Sequence, residues 1–208
     1  MATYRDAKCR LCRREGEKLF LKGMKCFTDK CPVDRRGYAP GEHGRDRRAK
    51  ETNYGIQLRE KQKARRMYGV LEAQFRTYFR RASRASGVTG LALLQLLEAR
   101  LDNVVFRLGF TPNRNTARQL VRHRHFTVNG RIVDIPSFRV RPGDVVQVRE
   151  KSRKIPVIKA ALEGGRGEPL GWLQLDKDSW SGRIVSVPTR EEIPVQIQEQ
   201  LIVELYSK

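Results

Sequence analysis

Between Thr111 and Glu150 the chain reads TPNRNTARQLVRHRHFTVNGRIVDIPSFRVRPGDVVQVRE, a stretch in which turn punctuation, apolar period and charge all constrain the local fold. Pro112 followed by Asn113 marks a helix start, because an asparagine side chain accepts a bond from an orphan amide of the first turn. Ala117, Leu120 and Val121 recur at i, i+3 and i+4, so one side of that helix packs. Arg114, Arg118 and Arg122 step by four and form an adjoining basic stripe. Asn129-Gly130 lies between Thr127-Val128 and Arg131-Ile132-Val133, and this pair tolerates the positive φ angles of a two-residue hairpin loop. Pro142-Gly143 supplies a second turn before Val145, Val146 and Val148, which suit a half-buried pleated surface. The stretch is predicted to be a helix leading into a tight, strongly basic β unit.

A run of arginines is often no more than a solvated helix face. Here the three share a stripe, and no carboxylate lies at i±4 within the helix to neutralise them. Arg124, Arg131, Arg139 and Arg141 continue the same sign into the hairpin. Concentrated positive charge on a small rigid unit is the footprint that a phosphate backbone requires. In ARQLV, HRHF, TVNG and RPGD the segment resembles the small RNA-binding module named after the fourth protein of the small ribosomal subunit. That family usually carries glycine between its two histidines, where this sequence has Arg124. Glycine there would relieve the left-handed backbone that ends a helix.

Composition bounds the remainder. A chain of 208 residues can form one large domain or two small ones with genuine cores. With 39% hydrophobic and 32% charged residues it folds behind an extensive charged surface. A net charge of +20 and a pI of about 10.5 call for a polyanionic partner. Anionic membrane is the competing polyanion, but no long apolar run or lipidation signal accompanies the charge. No apolar segment follows the charges of MATYRDAKCR, so a signal peptide is not expected and the protein is placed in the cytoplasm.

All four cysteines, Cys9, Cys12, Cys26 and Cys31, fall in the first 31 residues as C-x2-C and C-x4-C. Two short-spaced pairs can each grip one side of a tetrahedral ion, which points to zinc, with an iron–sulfur cluster as the alternative. Disulfides would need an oxidising compartment, for which nothing in the sequence speaks. Four thiolate ligands leave no open position for a substrate, so the role is structural, in a segment too short and polar to build its own core. Lys18 to Leu21 is predicted as a short strand between the pairs, with Gly16 and Gly23 reversing the chain.

From Arg35 to Lys50 proline, glycines and dense basic residues predict an extended connector. On RNA, Arg47 and Arg48 would neutralise phosphates, and Tyr38, His43 and Tyr54 would stack on bases or sugars; an ordinary disordered linker is the competing reading. Asn53 to Met67 is helix-prone, and Lys61, Lys63, Arg65 and Arg66 give it a basic surface that is either merely solvated or in contact with RNA.

With CRLCRREG, CF and the fourth cysteine, YAPGEHG, LREKQKARRMYG, RLDNVVFRLGF, ARQLV and EQLIVELYSK in this order, nearly the whole chain resembles the family of bacterial small-subunit ribosomal protein four in its zinc-bearing form. Single pieces are weak signals, but their joint order is specific.

Val70 to Ser86 is predicted as a helix with Leu71, Phe75, Tyr78, Phe79 and Ala82 inward. A longer helix is predicted from Leu91 to Leu108, stopped by Gly109, with Asp102-Asn103 interrupting its apolar pattern to bond backbone. Pro156 to Leu162 follows as a helix. The glycines of Gly164-Gly165-Arg166-Gly167 make a poor phosphate-binding fingerprint, because no strand immediately precedes them. Gly171 to Leu175 and Arg183 to Val187 alternate as strands anchored by Trp172 and Trp180, and Leu201, Ile202 and Leu205 form the apolar face of a terminal helix docking on an earlier helical domain.

The predicted fold class is α+β. It comprises a four-cysteine segment and basic connector (1–50), a helical domain (51–90) completed by 190–208, and an RNA-binding domain with an antiparallel sheet (91–189, core module about 98–160). The resemblance implies a non-enzymatic protein that binds small-subunit ribosomal RNA near a helical junction of the five-prime domain. It also implies early action in subunit assembly, contact with the fifth small-subunit protein and an influence on decoding accuracy. Some relatives repress their own messenger RNA. Carried over by motif, Arg114, Arg118, Gln119, Arg122, His123, His125, Asn129 and Arg131 are the RNA-facing candidates, although Asn129 could serve only its turn and His123 only the helix end. An RNA-modifying enzyme would need a catalytic domain for which little chain is left, and a zinc-dependent DNA regulator would prefer duplex DNA.

Overall fold

The computed structural model describes residues 3–4, 6–45, 52–164 and 170–207. The chain divides into two compact units, Met1–Gly90 with Val195–Lys208, and Leu91–Pro194.

The first unit opens with helix α1, Lys8–Glu15, which ends at Gly16 in left-handed backbone at φ 74°. Lys18 to Leu21 is not the predicted strand. Phe20 sits at φ 50°, which ends any extended run, while Leu19 and Leu21 turn inward against Cys12. A 3-10 turn over Gly23–Phe27 and the short helix α2, Pro32–Arg35, complete the segment. Helix α3 covers Asn53–Met67, and Thr52 caps it by accepting a bond from the Gly55 amide at 3.1 Å. Helix α4, Glu72–Ala82, starts later than predicted because Gly69 turns the chain at φ 62° and Leu71 is still extended, and it ends earlier, with Ser83 to Ser86 in turns and bends. Phe75, Tyr78 and Ala82 point inward from α4, each large side chain contributing about 1.5–3 kcal/mol by burial. The terminal helix, Glu199–Tyr206, packs on α3 from more than a hundred positions away in the sequence. Ile202 is fully buried, Tyr206 stacks on Phe79 with ring centroids 4.5 Å apart, and Gln57 donates to Glu204 at 2.9 Å.

In the second unit the single helix predicted from Leu91 to Leu108 is instead two. Helix α5, Thr89–Glu98, and helix α6, Leu101–Arg107, are separated by Arg100 in extended backbone at ψ 137°. The break is held from outside: the Leu101 amide donates to the Phe138 carbonyl at 2.9 Å, and Arg100 bridges to Arg139. Helix α7, Arg114–Arg122, follows, then β1 (Phe126–Val128), β2 (Arg131–Ile132) and β3 (Val145–Val148). Helix α8, Pro156–Glu163, precedes β4 (Leu173–Asp176) and β5 (Ser181–Ile184). Of the glycine cluster, Gly164 closes α8, and residues 165–167 lie outside the described residues.

The five strands form one antiparallel sheet in the order β2-β1-β3-β5-β4. Pairing of Phe126 with Val148 and of Val128 with Val146 sends these four to one face, where Ala117, Leu120 and Val121 of α7 and Val104 and Val105 of α6 complete the core. Trp172 is 1% exposed in the same core, and Trp180 packs against it. Gly182 is required in β5: a Cβ there would lie 2.4 Å from a methyl of Leu108.

Candidate nucleic-acid interface

The break between α5 and α6 builds the platform on which α7 rests. Arg100, 1% exposed, donates through Nε at 3.0 Å and Nη2 at 2.8 Å to the two carboxylate oxygens of Asp102. Arg118 reaches the same carboxylate from α7, at 3.4 Å. Burial lowers the pKa of the Arg118 guanidinium, opposed by the attraction of Asp102. Beside this triad, Asn103 donates to the Glu98 backbone carbonyl at 3.0 Å and to its carboxylate at 2.6 Å, and Arg107 grips that carboxylate at 2.9 and 2.6 Å. Arg114 donates to Asn103 Oδ1 at 2.7 Å, its guanidinium carbon 4.6 Å from the centre of the Phe106 ring.

Two members of the predicted basic stripe therefore face the interior. The helix has no acidic residue of its own, but α6 supplies one across the packing interface, and a buried charge must be paired. Arg118 acts in the fold rather than on the surface.

The residues left facing solvent are Gln119, Arg122 and His123. Asn113 caps α7 by accepting a bond from the Thr116 amide at 2.9 Å. At the exit, Arg124 adopts φ 63°, the left-handed geometry for which glycine is better suited, and pairs with Asp134 at 3.0 Å. The helix exit thus keeps its left-handed residue despite the side chain. His125 is half-buried, its Nδ1 3.0 Å from Ser152 Oγ, with its ring centre 6.0 Å from that of His123. Burial, then the charges of His123 and Arg149, lowers its pKa.

Asn129 is exposed, but both ends of its amide are engaged in the turn: Nδ2 donates to Asp144 at 2.8 Å and Oδ1 accepts from the Val145 amide at 2.9 Å. It holds the hairpin at φ 49°, and Arg131 stands exposed just beyond. Arg139 and Arg141 are also exposed. An open cleft of about 320 Å³ runs beside the outer face of the sheet, lined by Thr127, Gln147, Arg149 and Lys151 among others. Arg149 and Lys151 were not among the predicted site residues. Period-two alternation after the inward Val146 and Val148 marks Gln147 and Arg149 as outward, and that signal was available in the sequence.

In the first unit the predicted basic surface of α3 is largely compensated. Lys61 is buried and donates to Glu72 at 2.9 Å, Lys63 pairs with Glu17 at 2.9 Å, Arg65 lies 3.7 Å from Glu72, and Arg66 is bound to Glu15. Burial pushes the Glu72 carboxyl up, but hydrogen bonds from Lys61 and from Tyr206 outweigh it, and its pKa lies below the ordinary value. The open stripe lies on α4 instead. Arg76, Arg80 and Arg81 on the helix and Arg84 just after it are exposed, and none has an acidic partner among the described residues. Their spacing of four, opposite Phe75, Tyr78, Phe79 and Ala82, was legible but was overshadowed by the aromatic core pattern.

Tyr38 is half-buried, with the guanidinium carbons of Arg13 and Arg45 at 4.8 and 4.7 Å from its ring centre. Its ring is thus engaged with the protein's own cations, while His43 is exposed. Arg47 and Arg48 lie outside the described residues.

Cys9, Cys12, Cys26 and Cys31 line one small pocket, and none is disulfide-bonded. Burial pushes the Cys12 and Cys26 thiols up, and repulsion between neighbouring cysteines adds to it. As a donor set the four cysteines fit a tetrahedral ion. In this conformation, however, no three His, Cys, Asp or Glu side chains stand at ligand spacing among the described residues.

A helix-and-hairpin unit that presents Arg122, Arg131, Arg139 and Arg141 to solvent defines the class of an RNA-binding protein. Residues 3–98 match the ribosomal protein S4/S9 N-terminal domain, and residues 99–146 match the S4 domain. Over the full length of both chains, this protein is 63% identical to small ribosomal subunit protein uS4 of a Thermoanaerobacter species. It is 59% identical to that of Heliobacterium modesticaldum and 63% identical to that of Maridesulfovibrio salexigens, again over the full length of both. The chain belongs to the family of small ribosomal subunit protein uS4.

Proposed function

We propose that this chain is a structural component of the small ribosomal subunit, working in the cytoplasm, that binds small-subunit ribosomal RNA directly. The observation that carries this reading is the partition of its cations. Buried and half-buried arginines pair with Asp102, Glu98 and Asn103, and Arg122, Arg131, Arg139, Arg141 and the α4 stripe are exposed. The exposed set supplies affinity by neutralising phosphates, and selectivity comes from the shape of a folded RNA, since the A-form major groove is too narrow to read. The finer reading is binding at a helical junction of the five-prime domain, early in assembly, with contact to the fifth small-subunit protein and an influence on decoding accuracy.

Competition filter binding tests it: a folded five-prime-domain RNA fragment against duplex DNA of equal length, at several salt concentrations. Preference for the RNA at every salt supports the proposal; equal binding, or preference for DNA, overturns it in favour of a DNA regulator.

We further propose that Cys9, Cys12, Cys26 and Cys31 hold one structural zinc ion. The ion would supply cross-linking to a segment in which Cys12, Leu19 and Leu21, with Leu11, Val33 and Met67 packed against them, form a small core. Metal analysis with optical absorption of aerobically and anaerobically purified protein separates zinc from an iron–sulfur cluster. Absence of either metal at a stoichiometric level removes the proposal.

A further inference from the structure

Three large apolar side chains of the cysteine segment are exposed: Phe20 at 44%, Met24 at 58% and Phe27 at 62%. The backbone puts them there. Phe20 lies in left-handed geometry between inward Leu19 and Leu21. In the 3-10 turn, Gly23 and Cys26 point inward, so Met24 and Phe27, three residues apart, share the outward edge. The Phe20 and Phe27 rings stack with centroids 4.8 Å apart and planes 29° from parallel. A segment with so small a core leaves apolar surface outside at a cost, and such a patch marks a binding site.

The surroundings indicate what covers it. Lys22 and Lys25 are exposed on the same stretch, and with Phe20 they border the pocket that the four cysteines line. Lysine is depleted where protein partners bury apolar surface. Flat aromatic rings among cations suit a polyanion that also offers flat faces, which is an RNA strand with unstacked bases. We infer that Phe20 and Phe27 form a platform for unpaired bases of the bound RNA, with Lys22 and Lys25 on the adjoining phosphates. This rests on the ribosomal-RNA reading and adds a mode of recognition to it, by base stacking and outside the hairpin unit.

The test uses the full chain and the folded five-prime-domain RNA fragment. Ultraviolet cross-linking of the unaltered protein, followed by peptide mapping, is expected to join RNA to the peptide carrying Phe20 or Phe27. The double variant Phe20→Leu/Phe27→Leu keeps apolar bulk but removes the rings. It is expected to bind the fragment about tenfold more weakly, with an unchanged salt dependence. Its affinity for a fully paired RNA duplex is expected to be unchanged. Should the double variant melt early, the cross-link alone decides. Tight selective binding by the parent protein with no cross-link in this peptide, or with full affinity in a variant that folds, overturns this inference and leaves the ribosomal-RNA reading standing. Failure of the parent protein to prefer the fragment overturns both. Unchanged RNA affinity coupled with poor incorporation into particles carrying other subunit proteins makes the patch a protein contact, and likewise overturns the inference.

Discussion

Arg118 separates the surface role suggested by its stripe from the interior role given by its position. Charge reversal, Arg118→Glu, removes a cation 3.4 Å from the Asp102 carboxylate and places a second carboxylate in the same buried site. Unit charges about 4 Å apart interact by roughly 4 kcal/mol at an effective dielectric of 20. Breaking one side of a buried ion pair costs about 3–5 kcal/mol, of the same order. Arg100 continues to compensate Asp102, but its single charge would then be shared between two carboxylates. A loss near 4 kcal/mol corresponds to a fall in Tm of roughly 15–30 °C for a unit of about a hundred residues. Thermal unfolding followed by circular dichroism at neutral pH measures this directly. Arg118→Met, which leaves the Arg100–Asp102 pair intact, is expected to fall much less. Should Arg118→Glu melt within about 2 °C of the parent and yet lose RNA binding, the assignment of Arg118 to the fold is refuted.

Arg122→Glu with Arg131→Glu should leave Tm nearly unchanged, because both side chains face solvent, and should lower RNA affinity with a shallower salt dependence in filter binding. Replacing Arg76, Arg80 and Arg84 by glutamine should weaken RNA binding, whereas Lys63→Gln, which removes an internal partner of Glu17, should act mainly on stability; paired binding and melting curves distinguish the two. His125 contributes a pH dependence. Its folded pKa lies below its ordinary value of 6.5, so its stabilising effect is present above that value and is lost as pH falls through the lowered one. Chemical unfolding at several pH values should show this slope diminished in His125→Gln.

What the sequence made legible was local. Asn113 as a cap, Asn129-Gly130 as a hairpin turn and Asn53 to Met67 as a helix each depend on neighbours a few residues away, and all three appear where predicted. The terminal helix was legible because its apolar residues needed a partner, and α3 supplies it. The α5–α6 break was not legible, since helical periodicity runs through Arg100, and the bonds that hold it open come from the distant Pro136, Phe138 and Val140 backbone and from the Asp102 carboxylate. Charge compensation was hidden in the same way. Glu15, Glu17 and Glu72 neutralise α3 from other elements, so counting charges along one helix overstated its open basic surface and overlooked that of α4. Lys18 to Leu21 was read as a short strand, but among the described residues no strand lies beside it to pair with, and Phe20 turns the chain at φ 50°.

The central claim is that the cations left facing solvent are compensated by small-subunit ribosomal RNA. Co-sedimentation of the protein with small ribosomal subunits after a high-salt wash tests it most directly. The account predicts that the parent chain stays with the particle and that the Arg122→Glu/Arg131→Glu variant is washed off. A parent chain that remains at the top of the gradient, away from the subunits, contradicts it.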